Sequence, residues 1–364
     1  MYILGIETSC DETAAAVIKA DSHTGRLKVL SNIISSQIEI HKKYGGVVPE
    51  VAAREHVLNI LPVINEALTK AKITPKQLSA IAVTKGPGLI TSLITGVETA
   101  RALAYAWNKP LIAINHIEGH IYSNFISPAS PIKFPALTLT VSGGHTTLVL
   151  MNKSGKIKVI GETRDDAAGE TYDKAAKMMG LGYPGGPIIA SYADKYKKSL
   201  RRISRISSAL KTAPKNTANL SQKINLPRPM LNSADLDFSF SGLKTALLYH
   251  LQKDPHWKKR IPEYCYELQQ AIIDVLIGKT LKAASKFKAR TVMLAGGVSA
   301  NTELRTQMTA AIKAVRPKSN FLIPALEYTT DNASMIASAA VYKFRRHEFT
   351  DFPRLRVDAG LQLK

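Results

Sequence analysis

Two stretches of the chain share one pattern, in which a polar turn joins two short apolar runs. They are residues 2–18 and 137–150. Runs of this length with turn residues between them predict two hairpins. A hairpin repeated in each half of the chain predicts a duplicated domain with a cleft between the halves.

The rest of the pattern alternates between strands and helices, which predicts an α/β protein. Helices are predicted at residues 49–72, 89–107, 264–288 and 332–345, and buried strands at 81–84, 111–114 and 291–295. In the first helix, the expected buried face consists of Val51, Val57, Ile60, Leu61, Ile64 and Leu68. A further helix is expected to start near Asp165, and residues 180–187 are expected to form a glycine-rich loop.

Paired glycines follow or precede several of these elements, at residues 143–144, 185–186 and 296–297. Such turns allow backbone N–H groups to approach an anion, as in nucleotide clefts. The chain has neither a G-x-x-x-x-G-K-[ST] loop nor a G-x-G-x-x-G after its first strand, which argues against a P-loop NTPase and a Rossmann dehydrogenase. The repeated hairpins instead resemble the actin/Hsp70/sugar-kinase (ASKHA) superfamily.

Two histidines, His116 and His120, follow the predicted strand at 111–114. On a helix they would lie one turn apart on one face, where two imidazoles can bind one transition metal. Asp331, more than two hundred residues later, is the best candidate for a third ligand. Two histidines and one carboxylate, with positions left open, are typical of iron and zinc sites. The alternative is that both histidines are structural.

Two acidic positions also suggest chemistry. Asp11 and Glu12 lie at the tip of the first hairpin turn, which is dense in hydroxyls and carboxylates and is able to approach phosphates or a metal-bound substrate. An ordinary solvated turn is the alternative. Asp173 lies two turns into its predicted helix, where the helix dipole does not explain a negative charge.

The net charge of the chain also predicts a polyanionic partner. The 364 residues carry a net charge of +21, which favours nucleic acid as a partner. Residues 195–228 hold 10 basic residues and no acidic one, so we expect an extended or partly helical basic segment that contacts phosphates. A solvated loop is the alternative.

Composition also bears on location. The two cysteines exclude a disulfide framework, no apolar run approaches the length of a membrane span, and the N-terminus shows no presequence pattern. These features predict a cytoplasmic protein without membrane contact.

Eight motifs together resemble those of the TsaD family, the tRNA threonylcarbamoyladenosine transferases once labelled O-sialoglycoprotein endopeptidases, and the bacterial type is the most similar. The motifs are GIETSCDET (5–13), GGVVPE (45–50), GPG (86–88), HIEGH (116–120), VSGGH (141–145), YPGG (183–186), DFSFSGLK (237–244) and GGVSAN (296–301). They span nearly the whole chain. The resemblance implies two ASKHA-like lobes, at residues 1–130 and 131–364, with a basic insert at 195–228 and a C-terminal helix that packs back on the first lobe.

The resemblance also implies a role for each site residue. His116, His120 and Asp331 would bind one divalent metal ion, iron or alternatively zinc. The expected substrate-binding residues are Thr140, Val141, Ser142, Gly143 and Gly144 for the phosphate, Asp173 for the ribose, and Gly186 and Asn301 for the sugar and adenine. Asp11, Glu12 and His145 would lie near the reacting end.

The implied reaction has a small-molecule donor and an RNA acceptor. The donor would be threonylcarbamoyl-adenylate, made by a separate enzyme. The acceptor would be N6 of the adenosine 3′ of the anticodon in tRNAs that read ANN codons, and AMP would leave. A shorter paralogue of the same fold (TsaB-like) and a small ATPase (TsaE-like) are the implied protein partners.

The chain departs from the family pattern at two places. Ala190 stands where many relatives carry an acidic residue that helps to hold the ribose, so ribose contact would rest more on Asp173. The basic stretch at 195–228 is also longer than in typical bacterial members.

Two other functions were weighed against the transferase. Zinc proteases of the H-E-x-x-H type need a glutamate after the first histidine, but here Glu118 lies mid-turn and is expected to point away from the shared face of His116 and His120. A non-catalytic ATP-binding scaffold would have no use for a ligand set that includes Asp331.

Overall fold

The computed structural model describes residues 1–21, 24–210 and 224–363, and their side chains except those of residues 203–210. Within these residues, ten strands form two five-stranded sheets. The strands are β1 (Tyr2–Glu7), β2 (Glu12–Ala20), β3 (Leu27–Ser36), β4 (Ala80–Gly86), β5 (Leu111–Asn115), β6 (Ala136–Val141), β7 (Thr146–Met151), β8 (Ile157–Glu162), β9 (Thr291–Ala295) and β10 (Asn320–Leu322).

The two sheets repeat one topology. The first has the order β3-β2-β1-β4-β5 and the second the order β8-β7-β6-β9-β10. In each, the first three strands along the chain are antiparallel neighbours, and the fourth and fifth add in parallel. Both predicted hairpins are present as β1–β2 and β6–β7. The duplicated α/β fold of the ASKHA type is therefore confirmed.

Helices cover the sheets and connect the two halves. They are α1 (Ile38–His41), α2 (Pro49–Ala71), α3 (Ile90–Ala106), α4 (His116–Ser123), α5 (Ala168–Met178), α6 (Gly185–Leu210), α7 (Ser241–Lys253), α8 (Ile261–Lys286), α9 (Thr302–Val315) and α10 (Ala333–Arg345). Among the described residues, no helix combines the length and the hydropathy that crossing a bilayer requires.

Helices α4 and α10 pack together between the two sheets. Their buried apolar side chains share one cluster with residues of both sheets, including Ile3 of β1 and Met293 of β9. Helix α10 approaches β1 closely because Gly5 has no side chain: a Cβ there would lie 2.9 Å from the backbone nitrogen of Ala337 and closer still to the carbonyl oxygen of Ala333. The N-terminal ends of both helices thereby come to the same place. The division into lobes at residue 130 stays a prediction.

The predicted buried face of α2 is partly wrong. Val57 and Leu61 are 64% and 58% exposed, whereas Ala52, His56 and Ala67 point inward. The pattern misleads because the inward face contains a polar residue and two alanines, while the outer face carries strongly apolar residues. An outer face of this kind is a candidate protein contact.

Two loop predictions also need correction. Residues 185–187 do not continue the predicted glycine-rich loop, because α6 begins at Gly185. The helix expected near Asp165 begins at Ala168, and the Asp165 carboxylate instead accepts hydrogen bonds from the backbone of Phe240 and Ser241 at the start of α7.

The basic stretch is helical over residues 195–210 and has no regular secondary structure over residues 224–228, so the expected partly helical segment is present. Helix α6 continues to Leu210, so residues 195–210 are helix rather than extended chain. Residues 211–223, with three of the ten basic residues, lie outside the described residues. Within the described part, Arg228 is partly buried, and its guanidinium pairs with Glu267 and Asp274 of α8.

The Gly5 contact generates a test. We expect Gly5→Ala to lower the free energy of unfolding by about 1–3 kcal/mol, because the added methyl group meets backbone atoms of α10 that cannot rotate away. We also expect weaker metal binding, because Asp331 immediately precedes the N-cap of α10 and would move with it. Chemical denaturation and metal titration would measure the two effects.

Gly242→Ala is the matched control, because a Cβ at this helical position meets nothing within 4 Å. It should leave stability unchanged or raise it by up to about 1 kcal/mol. Equal stability of the two variants would contradict the close packing at Gly5.

Candidate metal centre and adjoining cleft

The histidine pair lies at the junction of β5 and α4. Asn115, the last residue of β5, caps the helix: its side-chain oxygen accepts hydrogen bonds from the backbone N–H groups of Ile117, at 2.8 Å, and Glu118, at 3.3 Å. The helix therefore starts at His116, which places His116 and His120 one turn apart. Their rings are in edge-to-face contact, with centroids 4.6 Å apart.

Asp331 reaches this pair from the start of α10. Asn332 caps α10 by accepting a hydrogen bond from the backbone of Met335, and Asp331 immediately precedes it. The Asp331 Oδ1 atom lies 3.2 Å from His120 Nε2 and 3.5 Å from His116 Nε2. The three possible ligand atoms lie within 4.8 Å of one another. The structure thus brings together three residues that are more than two hundred positions apart in sequence.

The electrostatics of the three groups fit a cation. Burial would lower the pKa of His116, but the Asp331 and Glu7 carboxylates raise it to about 9. Burial would raise the pKa of Asp331, but the histidines hold it well below its usual range. Both ring nitrogens of His120 are buried: Nδ1 has no hydrogen-bond partner among the described residues, and Nε2 faces only the Asp331 carboxylate, at 3.2 Å. Burial lowers the pKa of His120. A neutral imidazole with an unsatisfied nitrogen is ready to be a metal ligand.

Glu7 is a functional candidate that the sequence reasoning missed. Its carboxylate is fully buried, and His116 Nδ1 donates to its Oε2 at 3.2 Å. Thr84 Oγ1 donates to the same oxygen at 2.6 Å, and the backbone N–H of Ser9 donates to Oε1 at 2.6 Å. A carboxylate that accepts from Nδ1 leaves Nε2 of His116 free to bind a metal. The available signal was an acidic residue at the end of an otherwise apolar strand.

Asp11 ends the turn between β1 and β2, and Glu12 is the first residue of β2; both lie close to the candidate metal centre. Asp11 is buried, with 7% of its surface exposed. Burial raises the pKa of Glu12 well above its usual value, and the Asp331 and Asp11 carboxylates raise it further.

His145 lies on the second hairpin, facing the same site. Burial lowers its pKa to about 4, and the nearby His116 and His120 add to this shift. The ring is therefore neutral at physiological pH. Its backbone N–H donates to Ser142 Oγ at 3.2 Å, which closes the turn between β6 and β7.

The predicted phosphate-binding turn divides into two parts. Thr140 and Val141 are fully buried strand residues, so their side chains face the interior. Gly143 and Gly144 border open space, since a Cβ at either would meet nothing within 4 Å. Neither glycine has a positive φ. They therefore contribute free space beside the backbone, which a ligand could occupy, rather than an unusual backbone conformation.

The start of α5 lies directly against this turn. The N–H of Gly169 donates to the carbonyl oxygen of Ser142 at 3.2 Å, and that of Ala168 donates to Thr146 Oγ1 at 2.9 Å. A helix N-terminus carries partial positive charge, which favours an anion nearby. The open space beside Gly143 and Gly144 is therefore suited to a phosphate.

Asp173 has a structural partner. Its Oδ1 accepts from the backbone N–H of Gly185 at 2.7 Å, at the start of α6, and burial raises its pKa. This hydrogen bond gives a reason for an acidic residue at a position within α5 that the helix dipole does not favour. Gly186 beside it borders open space, and Ala190 is partly exposed one turn later.

Asn301 also has structural contacts. It caps α9 by accepting from the backbone N–H of Leu304 at 3.0 Å, and its amide donates to Gln269 at 2.8 Å. The nearby Gly296 is a position where only glycine fits, because its φ is +86° and a Cβ would meet backbone atoms of Val141. This contact brings the turn after β9 against the end of β6.

Glu118 does not face the metal centre. Its carboxylate pairs with Lys343 of α10 at 2.9 Å. Glu118 is therefore not placed to activate water beside the histidine pair, in agreement with the argument against a zinc protease.

Comparison with known proteins gives a consistent result. Residues 28–338 match the family model TsaD, described as tRNA N6-adenosine threonylcarbamoyltransferase. A protein of that name from Syntrophomonas wolfei is 46% identical over 348 residues, which cover 95% of this chain and 94% of the relative. The Bacillus subtilis protein of that name is 46% identical over 348 residues, covering 95% and 91%. The one from Geobacillus thermodenitrificans is 44% identical over 365 residues, covering 100% and 97%.

The contact between Glu7 and His116 generates a test. We expect Glu7→Gln to weaken binding of Zn²⁺ or Co²⁺ by about 10- to 100-fold, because an amide keeps the shape but loses the charge that supports the His116 ring. Isothermal titration or a chelator competition would measure the change.

Glu118→Gln is a matched control, since it removes another buried carboxylate, from the helix that carries the two histidines, at a position that faces Lys343. Its metal affinity should be unchanged. If the two variants lose equal affinity for the metal, the loss comes from removing any buried charge and not from the contact with His116.

Proposed function

The chain belongs to the family of tRNA N6-adenosine threonylcarbamoyltransferases, and on that premise we propose how its residues carry out the reaction. The protein is an acyltransferase that forms threonylcarbamoyladenosine in tRNA. The proposed donor is threonylcarbamoyl-adenylate, and the proposed acceptor is N6 of the adenosine 3′ of the anticodon in tRNAs that read ANN codons. The observation that supports a metal-assisted transfer is the convergence of His116, His120 and Asp331.

The proposed metal is a divalent ion, iron or alternatively zinc. The two imidazoles and one carboxylate suit either ion, and the two buried ring nitrogens of His120 support a bound cation. When bound, the ion would supply Lewis-acid stabilisation of negative charge on the donor. His116 must lose its extra proton before it can bind, and Glu7 keeps the remaining proton on Nδ1.

The donor is proposed to lie in the cleft beside the second sheet. Its phosphate would lie in the open space next to Gly143 and Gly144, where the start of α5 favours negative charge. The adenosine would extend toward Gly186 and the neighbourhood of Asn301. Because Asp173 uses one oxygen to cap α6, its other oxygen is the one proposed to accept from the ribose.

The reacting end is proposed to lie between the two hairpin turns, near Asp11, Glu12 and His145. The N6 amine attacks the carbamoyl carbon, the bond from that carbon to the phosphate oxygen breaks, and AMP leaves with the electron pair. The amine loses one proton in this step, for which Asp11, Glu12 and His145 are the candidate acceptors. The donor is an activated mixed anhydride, so correct positioning supplies much of the rate, about 7–11 kcal/mol in favourable cases.

Helix α6 is the proposed contact for tRNA phosphates. Arg201 and Arg202 are exposed near its C-terminal end. Lys197 and Lys198 are instead paired with Glu303 and Asp194, each at 2.6 Å. The arginines are therefore better placed than the lysines to bind phosphates.

The outer surface of α2 and α3 is the proposed docking site for the shorter paralogue. Exposed apolar side chains on the two neighbouring helices support it: Val57, Leu58, Leu61, Ile90 and Ile94. A small ATPase is the second proposed partner, and the proposed location of the reaction is the cytoplasm.

The metal centre generates a test of the transfer itself. We expect His116→Ala to lose metal binding and to lower transfer to tRNA by at least about 100-fold, while the circular dichroism spectrum is retained. The assay would combine enzyme, threonylcarbamoyl-adenylate, unmodified tRNA and the proposed partners, and would quantify the modified nucleoside by mass spectrometry.

His256→Ala is the control, because His256 is exposed and lies far along the chain from the ligands. Full transfer by His116→Ala without bound metal would refute the metal-assisted mechanism.

Helix α6 generates a test of RNA binding. We expect Arg201→Gln/Arg202→Gln to weaken tRNA binding, because two phosphate contacts are lost. Fewer counterions are then released when tRNA binds, so the slope of log K against log[salt] should fall in magnitude by up to about 2. Filter binding or anisotropy at several salt concentrations would measure this.

Lys313→Gln/Lys318→Gln makes the same change of charge at exposed positions of another helix and the turn after it. If both double variants change the slope equally, the effect comes from overall charge, and α6 is not the specific contact.

A further inference from the structure

The inward face of α2 contains one polar residue whose presence packing does not explain. The face consists of Ala52, Ile60, Val63, Ile64 and Ala67 together with His56, which is fully buried. An apolar residue would bury more favourably at this position, so the imidazole needs a specific purpose.

Both nitrogens of His56 bind the turn between β1 and β2. Nε2 donates to the carbonyl oxygen of Cys10 at 2.9 Å, and Nδ1 accepts from Thr13 Oγ1 at 2.7 Å. A carbonyl oxygen only accepts, so Nε2 must carry the proton. Cys10 directly precedes Asp11, and Thr13 directly follows Glu12. One ring therefore holds the residues on either side of the acidic pair.

The rest of the turn is held from the other helix. The backbone N–H of Leu89, just before α3, donates to the carbonyl oxygen of Ser9 at 2.8 Å, and Thr8 Oγ1 donates to the carbonyl oxygen of Ser92 at 2.9 Å. Helix α3 thus fixes the beginning of the turn, and His56 of α2 fixes the end that carries the acids. Asp11 itself has one described backbone contact, in which its carbonyl oxygen accepts from Gln37. Glu12 opens β2, where it pairs with Ser36 of β3.

We propose that His56 is a positioning residue, which sets the placement of Asp11 and Glu12 relative to the metal centre by bridging Cys10 and Thr13. This inference rests on the proposed function, since it assumes that the acidic pair lies at the reacting end. His56 acts through the turn and does not touch the substrates. The ring is neutral, in keeping with the way burial lowers its pKa.

The test compares substitutions that differ only in their ability to bridge. His56→Ala removes both hydrogen bonds and should lower kcat for transfer by about 10- to 100-fold, the effect of misplacing reacting groups by about 1 Å. The KM for the adenylate and the metal affinity should change less than threefold. His56→Gln should recover most of the rate, because a carboxamide can both donate to Cys10 and accept from Thr13. Thr13→Val, which breaks one contact from the opposite side, should give an intermediate loss.

Ser31→Ala is the matched control. Ser31 Oγ donates to the carbonyl oxygen of Ala67 at 2.7 Å, so this variant also breaks a buried hydrogen bond between α2 and the first sheet, but away from the turn. It should lower thermal stability by a similar amount while kcat stays within twofold of the unsubstituted protein. An equal loss of kcat in Ser31→Ala and His56→Ala would overturn the positioning role.

Asp11→Asn separates failure of this inference from failure of the proposed function. If Asp11→Asn and Glu12→Gln both transfer at the full rate, the acidic pair is not at the reacting end and the premise fails. If those variants are impaired while His56→Ala transfers normally, the premise stands and the positioning role of His56 is wrong. If His56→Ala does not fold, Thr13→Val with retained stability gives the deciding kcat.

Discussion

The packing of α4 and α10 between the two sheets is the constraint on which the site depends. Each helix brings its N-terminal end to the same point, and the ligand atoms of His116, His120 and Asp331 meet there within 4.8 Å. The approach is close because Gly5 has no Cβ to hold α10 away from β1. The absence of a side chain at Gly5 thus helps to place the ligand atoms at the cleft. Protein interiors are packed so tightly that an added side chain there would displace α10.

Balance of charge is the second organising feature of the site. The carboxylates of Glu7, which is fully buried, and Asp331, which is partly exposed, lie on opposite sides of the His116 ring, and each lowers the free energy of a positive charge between them. Without a metal, a proton on His116 supplies that charge. A divalent ion with the ring deprotonated would be neutralised by the same two carboxylates. The site therefore has a built-in preference for cations, before any substrate arrives.

The sequence predicted the fold and the metal triad better than the details around them. Repeated hairpins led to the duplicated topology, and the spacing of His116 and His120 placed both on one face of a helix. Glu7 was missed because its role depends on a contact with a residue more than a hundred positions away, which no local pattern reveals. The buried face of α2 was partly wrong because His56 faces inward for its hydrogen bonds, while strongly apolar Leu61 remains outside. A periodic pattern along the chain reflects hydropathy alone, whereas the orientation of these residues depends on contacts with distant parts of the fold.

The separation of the ligands along the chain has a consequence for biosynthesis. The two histidines belong to the first half of the sequence, and Asp331 follows only after all five strands of the second sheet have been made. Domains generally fold as they emerge from the ribosome, from the N-terminal end onward. The first sheet can therefore form long before the third ligand exists, and the nascent chain at that stage offers a metal only a pair of imidazoles. A metal ion would therefore be bound tightly only by molecules whose two halves have both been synthesised and have packed together. The metal content of the protein would then depend on the fraction of fully folded molecules as well as on the amount of metal present.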